Sequence, residues 1–119
     1  GDKPTMTIHT ESPEACLVLT TTATAEEAAE LARGLVEQRL AACVQRQAIQ
    51  STYWWEGAVT EEAETLLLIK TERSRYREVE AFIRTHHGYS IPEILCLPVT
   101  AGSAEYLGWI KAALDRPRD

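Results

Sequence analysis

Apolar and polar positions alternate along this chain in two different periods, and the switches between them mark the elements. Residues 15–22 open with a continuous apolar run, Ala15-Cys16-Leu17-Val18-Leu19, that passes into three threonines. A short run of this kind reads as a central strand buried on both faces. Thr24 and Glu27 follow at the spacing of a capping box. Ala28, Leu31, Ala32, Leu35 and Val36 then recur at helical spacing, with Glu and Arg on the other side. This predicts a first helix over residues 25–39. Gly34 inside it is expected to let the helix pack closely on the sheet. A second strand is expected to begin at Leu40 and run to Trp55, since no Gly, Pro or helix cap interrupts it. Its alternation is imperfect between Gln45 and Gln50, where a bulge is expected.

Glu56-Gly57 divides two β-type runs, and a two-residue loop ending in Gly suits a hairpin turn. The third strand is expected over residues 64–71 and a second helix over 72–87. Tyr76, Val79, Phe82 and Ile83 share one face of that helix, and Gly88 is expected to end it in the left-handed conformation. Pro92 opens a fourth strand over residues 93–99, where Pro98 favours a sheet edge. Ser103 can cap a third helix that turns Tyr106, Leu107, Ile110 and Leu114 inward. The order is β-α-β-β-α-β-α. It predicts an α+β fold, a ferredoxin-like split β-α-β sandwich with a C-terminal helix and a long central hairpin. The first and third strands would be central. The second strand would outrun the sheet and carry Tyr53, Trp54 and Trp55 beyond it.

With 119 residues the chain forms one domain, read as residues 13–115 between a leader at 1–12 and a tail at 116–119. A net charge of −6 disfavours nucleic acid as a partner. No apolar run approaches the length of a membrane span, and no membrane partner is expected. Three dispersed cysteines, Cys16, Cys43 and Cys96, argue against a disulfide scaffold and for a reducing compartment.

Six blocks carry a family resemblance: Leu40-Ala-Ala-Cys43; Ser51 with Tyr53-Trp54-Trp55-Glu56-Gly57; Leu67 with Ile69-Lys70-Thr71; His87 with Tyr89 and Pro92-Glu93-Ile94; Leu97-Pro98-Val99; and Tyr106-Leu107 with Trp109-Ile110. Together they resemble the CutA divalent-cation tolerance family. The resemblance implies a homotrimer, cytoplasmic in bacteria, linked to tolerance of copper and other divalent cations. It also implies a likeness to PII-type signalling trimers, and no established enzymatic activity. Two positions depart from the family pattern. Thr20 stands where some relatives have a copper-linked Cys, and Gly88 stands where Pro is usual.

The candidate chemistry follows. His86 and His87 are the candidate ligands for a divalent ion (Cu, Zn or Ni). Adjacent helical residues point about 100° apart, so one helix does not aim both rings at one ion. Cys43, Lys70, Tyr89 and Glu93 are the polar members of the matching blocks, and the resemblance suggests that they meet in an inter-subunit pocket. Tyr53, Trp54 and Trp55 are the expected oligomer interface. The acidic run Glu56, Glu61, Glu62 and Glu64 reads by default as a solvated hairpin tip. No organic cofactor is expected. Three functions stand side by side: a non-enzymatic metal-responsive or ligand-sensing trimer, which includes a PII-like trimer without metal; an enzyme using Cys43 and His87; and a scaffold that anchors another protein.

Overall fold

The computed structural model describes residues 10–11 and 14–115. The rest of the leader and the tail at 116–119 lie outside the described residues. The elements are β1 (Thr10–Glu11), β2 (Ala15–Thr22), α1 (Ala25–Glu37), β3 (Cys43–Trp55), β4 (Ala58–Glu72), α2 (Tyr76–His86), β5 (Leu95–Pro98), β6 (Ala101–Gly102) and α3 (Ala104–Asp115). A 3-10 turn, Arg73–Arg75, leads into α2. The main sheet has the order β3-β4-β2-β5, antiparallel throughout. The most apolar strands, β2 and β4, are therefore central. Pro98 lies on edge strand β5, where its missing N–H costs no ladder bond. This is the α+β, ferredoxin-like arrangement that the alternation predicts. One feature lies outside that reading: Thr10–Glu11, assigned to the leader, pairs with Ala101–Gly102 in a second small sheet.

One face of the main sheet makes the core. Cys16, Val18, Leu67 and Ile69 meet Ala28, Leu31 and Leu35 of α1 and Val79 and Ile83 of α2. Burying each large aliphatic side chain contributes about 1.5–3 kcal/mol. The Thr24 half of the capping box holds, with the Glu27 N–H donating to Thr24 Oγ1 at 3.1 Å, while the Glu27 carboxylate lies beside Gly88. Ser103 caps α3 in the same way, accepting from the Tyr106 N–H at 3.2 Å. Ile110 and Leu114 of α3 are buried, but Tyr106 is exposed in the single chain.

Four local expectations are corrected. First, residues 40–42 are not strand. Arg39 takes φ 58°, the Leu40 N–H reaches back to Leu35 O, and the Arg39 N–H donates to Val36 O. That is a Schellman close, with Arg in the position usually held by Gly. Second, β3 carries no bulge. Its register with β4 runs unbroken from Cys43↔Lys70 to Trp55↔Ala58. Third, Gly88 is not left-handed; α2 ends because His87 turns extended at φ −97°, ψ 143°. Fourth, Gly34 faces α2 rather than the sheet. A Cβ there would lie 2.5 Å from the Phe82 ring.

The hairpin is long, as expected. Glu56 (φ 50°) and Gly57 (φ 79°) form its two-residue turn, and both positive values match type I′. β2 reaches only Thr65 of β4, so residues 49–55 and 58–64 pair with each other and, among the described residues, with no third strand. At roughly 3.4 Å per residue this ribbon extends the sheet by about 24 Å.

Candidate functional site

The main cleft lies where the ribbon leaves the sheet. Its volume is about 840 Å³, and it is bounded by the ribbon and the loop at residues 88–93. Strand alternation supplies one wall. Ser51, Tyr53 and Trp55 point to the face shared by their cross-strand partners Glu62, Thr60 and Ala58. Glu64 extends the same row, and Tyr89, Ile91, Pro92 and Glu93 close the cleft from the loop. Trp54, one residue out of phase, turns to the other face and is 74% exposed.

Three carboxylates therefore line one cleft: Glu62, Glu64 and Glu93. No Lys or Arg lies in the lining among the described residues. The Tyr53 hydroxyl donates to Glu62, and the Tyr89 hydroxyl donates to Glu64 at 2.8 Å. The Glu62 bond, with lesser help from desolvation, pushes the Tyr53 phenol up to about 12. Burial and the Glu64 bond push the Tyr89 phenol up as well. Both phenols therefore stay protonated and act as donors. Partial desolvation, then repulsion from Glu64, holds the Glu93 carboxyl above the usual carboxylate range.

The four residues expected to share a pocket are divided within the single chain. Tyr89 and Glu93 line the cleft. Cys43 and Lys70 are cross-strand partners at the base of the hairpin. Lys70 stands six residues along β4 from Glu64, about 20 Å at the usual strand rise. Its ammonium donates to the Tyr106 hydroxyl at 3.1 Å and lies 5.1 Å from that ring's centroid.

The two histidines diverge, as helical geometry requires. His86 Nδ1 donates to Phe82 O at 2.8 Å, and the ring stacks on Phe82 with centroids 4.0 Å apart. Its Nε2 then carries the lone pair. His87 is tied at both nitrogens: Nε2 donates to Thr21 O at 2.5 Å, and Nδ1 accepts from the Tyr89 N–H at 2.9 Å. That ring fastens the cleft loop to the end of β2 and has no lone pair to offer in this arrangement. Among the described residues no group of three His, Cys, Asp or Glu side chains is placed to hold a metal.

Glu62 and Glu64 are the cleft residues that the acidic-run reading passed over. Counting alternation on β4 separates them from Glu61, and the hairpin register then places them opposite Ser51 and Ile49. The phase was available in the sequence, but the loop that turns this row into a cleft was not.

The chain is thus a ferredoxin-like domain with an overlong hairpin and an acidic, tyrosine-lined cleft beneath it. A family model described as CutA1 divalent ion tolerance protein matches residues 16–113. The chain belongs to that family. It is 41% identical over 96 residues to the divalent-cation tolerance protein CutA of Thermus thermophilus, covering 80% of this chain and 93% of that protein. It is 40% identical over 93 residues to human protein CutA, covering 77% of this chain and 52% of that protein. The chain thus spans most of the bacterial relative and about half the length of the human one; for the rice chloroplastic relative the share is 54%. The solved structure of CutA from Synechococcus elongatus superposes with a TM-score of 0.87 at 36% identity, covering 90% of this chain and 96% of that one. A second structure of that protein, complexed with a Bis-Tris molecule, gives 0.83 at 35% identity over 88% and 98%. The relatives' names denote tolerance proteins rather than enzymes. No helix among the described residues is long and apolar enough to cross a membrane.

Proposed function

We propose that this chain is a non-enzymatic, cytoplasmic sensor that assembles as a homotrimer and takes a small organic cation in the cleft beneath the hairpin. The observation that carries the reading is the lining itself, three carboxylates with no Lys or Arg among the described lining residues. Three carboxylates gathered in one cleft, Glu64 half-buried among them, ask for a positive partner. The volume falls in the range of about 300–1,000 Å³ typical of small-molecule sites. Trp55, Ile91 and Pro92 offer apolar walls for the body of such a ligand. Bis-Tris, found with the Synechococcus relative, is an amine bearing several hydroxyls and belongs to the class this lining suits. Catalysis through Cys43 is disfavoured, since His87 is committed to backbone groups at the loop.

A divalent ion is the second reading. The family description and the free Nε2 of His86 favour it. A backbone carbonyl bound to the other ring nitrogen is the usual support for a ligating imidazole. Further ligands would come from neighbouring copies.

Calorimetric titration of the full chain separates these readings. Bis-Tris should bind, and Glu64→Gln should weaken it at least about tenfold while His86→Ala leaves it unchanged. Absence of binding, or binding indifferent to Glu64, defeats the cleft reading. For Cu²⁺, Zn²⁺ and Ni²⁺, binding lost in His86→Ala and kept in His87→Ala supports the second reading; equal loss in both counts against it. A trimer that binds neither class favours the scaffold.

A further inference from the structure

We propose that Cys16 and Cys96 form a two-thiolate site for a soft monovalent metal ion of the Cu(I) and Ag(I) class. The β2–β5 register pairs Cys16 with Pro98 and Val18 with Cys96. The two cysteines are therefore diagonal neighbours on adjacent antiparallel strands, and they share one face of the sheet. That face is the one covered by α1 and α2, since Cys16 and Val18 belong to the core. Cys16 is 1% exposed, whereas Cys96 is exposed on the edge strand. One sulfur is thus deep and the other lies at the rim, which gives an ion a way in.

Spacing decides what the pair can do. Diagonal Cα atoms stand about 7–8 Å apart, with Cβ atoms somewhat closer. A disulfide prefers Cα atoms within about 7 Å, so direct oxidation would strain the sheet. Placing a metal between the sulfurs replaces the S–S bond of about 2 Å with two bonds on the order of 2.3 Å each, which lengthens the link by roughly 2.5 Å. A bridged ion spans what a disulfide does not.

Ligand count decides which ion. Zn²⁺ in a closed protein site takes four ligands. No group of three ligand-type side chains is placed for a metal among the described residues. A soft ion content with two thiolates is the one that the pair can satisfy. On binding, two S–H bonds break, two sulfur–metal bonds form, and two protons pass to solvent. No electron changes hands.

The bound pair would carry one net negative charge. The Arg73 guanidinium acts on Cys16 and offsets part of it, while Glu72 opposes. Burial, then a hydrogen bond with Cys96, pushes the Cys16 thiol up to about 12. A weakly bonding ion does not displace such a proton; a soft ion, through covalent sulfur bonding, does. Cys43 provides an internal control. It lies in β3 opposite Lys70, separated from β2 by β4.

The test is anaerobic titration of the full chain with Ag(I) and with Cu(I) against a chromogenic competing chelator. One ion per chain should bind. Cys96→Ser should weaken binding by more than about a hundredfold. Cys16→Ala should do the same, and Cys43→Ser should change nothing. Cys96→Ser alters an exposed side chain, so a folded variant is expected, and circular dichroism checks it. X-ray absorption of the silver-loaded protein should show two sulfur neighbours. Failure of the unmodified chain to bind either ion overturns the proposal. So does full affinity in folded Cys96→Ser, or loss confined to Cys43→Ser. None of these outcomes depends on what the cleft binds.

Discussion

Thr20 is fully buried, and its hydroxyl oxygen finds no partner among the described residues. A buried hydroxyl without a hydrogen bond costs about 1–3 kcal/mol, and Val keeps the shape without the polar atom. Thr20→Val should therefore stabilise the protein by roughly 1 kcal/mol, read as a rise in Tm. A fall in Tm would show that the hydroxyl has a partner after all. Glu93 carries the opposite burden. Its carboxyl binds protons more tightly folded than unfolded, because partial desolvation and Glu64 disfavour the charge. Such a group's contribution is intact below the unfolded carboxylate range and is lost as pH rises through the raised folded value. Glu93→Gln should thus be more stable than the parent at neutral pH and equal to it near pH ~4. Thermal melts across that range read the difference; a variant less stable at neutral pH refutes the assignment. The same carboxyl links pH to ligand. If the cleft takes a cation, affinity should rise with pH through the Glu93 transition, and Glu93→Gln should flatten that dependence. The chemistry of these residues was partly legible. Tyr89 and Glu93 were recognisable as site candidates, but nothing in a linear string reveals which of two faces a neighbouring Glu takes until the register is known.

Elements with regular period were readable, and elements closed by irregular backbone were not. The apolar run of β2, the 3.6-residue recurrence of α1 and the Ser103 cap of α3 all state their own geometry. The end of α1 does not. Arg39 sits where Gly is usual, held left-handed while its guanidinium donates to Ala113 O at 3.2 Å. Arg75 donates to Leu114 O at 2.9 Å beside it. Two cations thus serve the orphan carbonyls at the C-terminus of α3, a contact across 74 residues that no local pattern could announce. Leu40 and Ala41, apolar and buried, look like strand for the same reason: the tertiary fold, not the period, places them. Gly34 shows the same limit. Replacing a mid-helix Gly with Ala normally gains about 1 kcal/mol. Here the added methyl would meet the Phe82 ring at 2.5 Å, and that ring is itself stacked on His86. Gly34→Ala should therefore lower Tm despite the better propensity. An increase would mean that the ring yields freely. At the hairpin tip the backbone favours a change of residue. Glu56 adopts φ 50°, a left-handed conformation that favours Asn or Gly. Glu56→Asn should stabilise the ribbon by about 0.5–1 kcal/mol, seen as slower amide exchange in residues 53–60.

At the scale of the whole molecule the ribbon dominates. The chain measures 63 × 34 × 21 Å with a radius of gyration of 16.6 Å. A compact domain of this length would have about 13.5 Å. A two-stranded ribbon without a third strand is marginal in water. This one carries Trp54 at 74%, Trp55 at 48% and Val59 at 60% exposure. Leu95 and Leu97 on the edge strand are also exposed, at 55% and 41%. Their cross-strand partners are Leu19 and Leu17, so they extend an apolar row on the sheet face opposite α1 and α2. An unpaired edge, an apolar face and an aromatic tip on one subunit are the ingredients of self-association. A closed ring satisfies all three at once, because each ribbon can cover its neighbour and no edge is left over. Three copies is the number implied by the resemblance; no spacing in the chain specifies it. Trp54 and Trp55 point to opposite faces of the ribbon, so a neighbour should bury at least one of them. Replacing both with Asp places two charges where apolar surface must be covered. Trp54→Asp combined with Trp55→Asp should convert the trimer to monomer or aggregate. The unmodified chain should sediment as a trimer at micromolar concentration, and a stable monomer there would exclude this assembly.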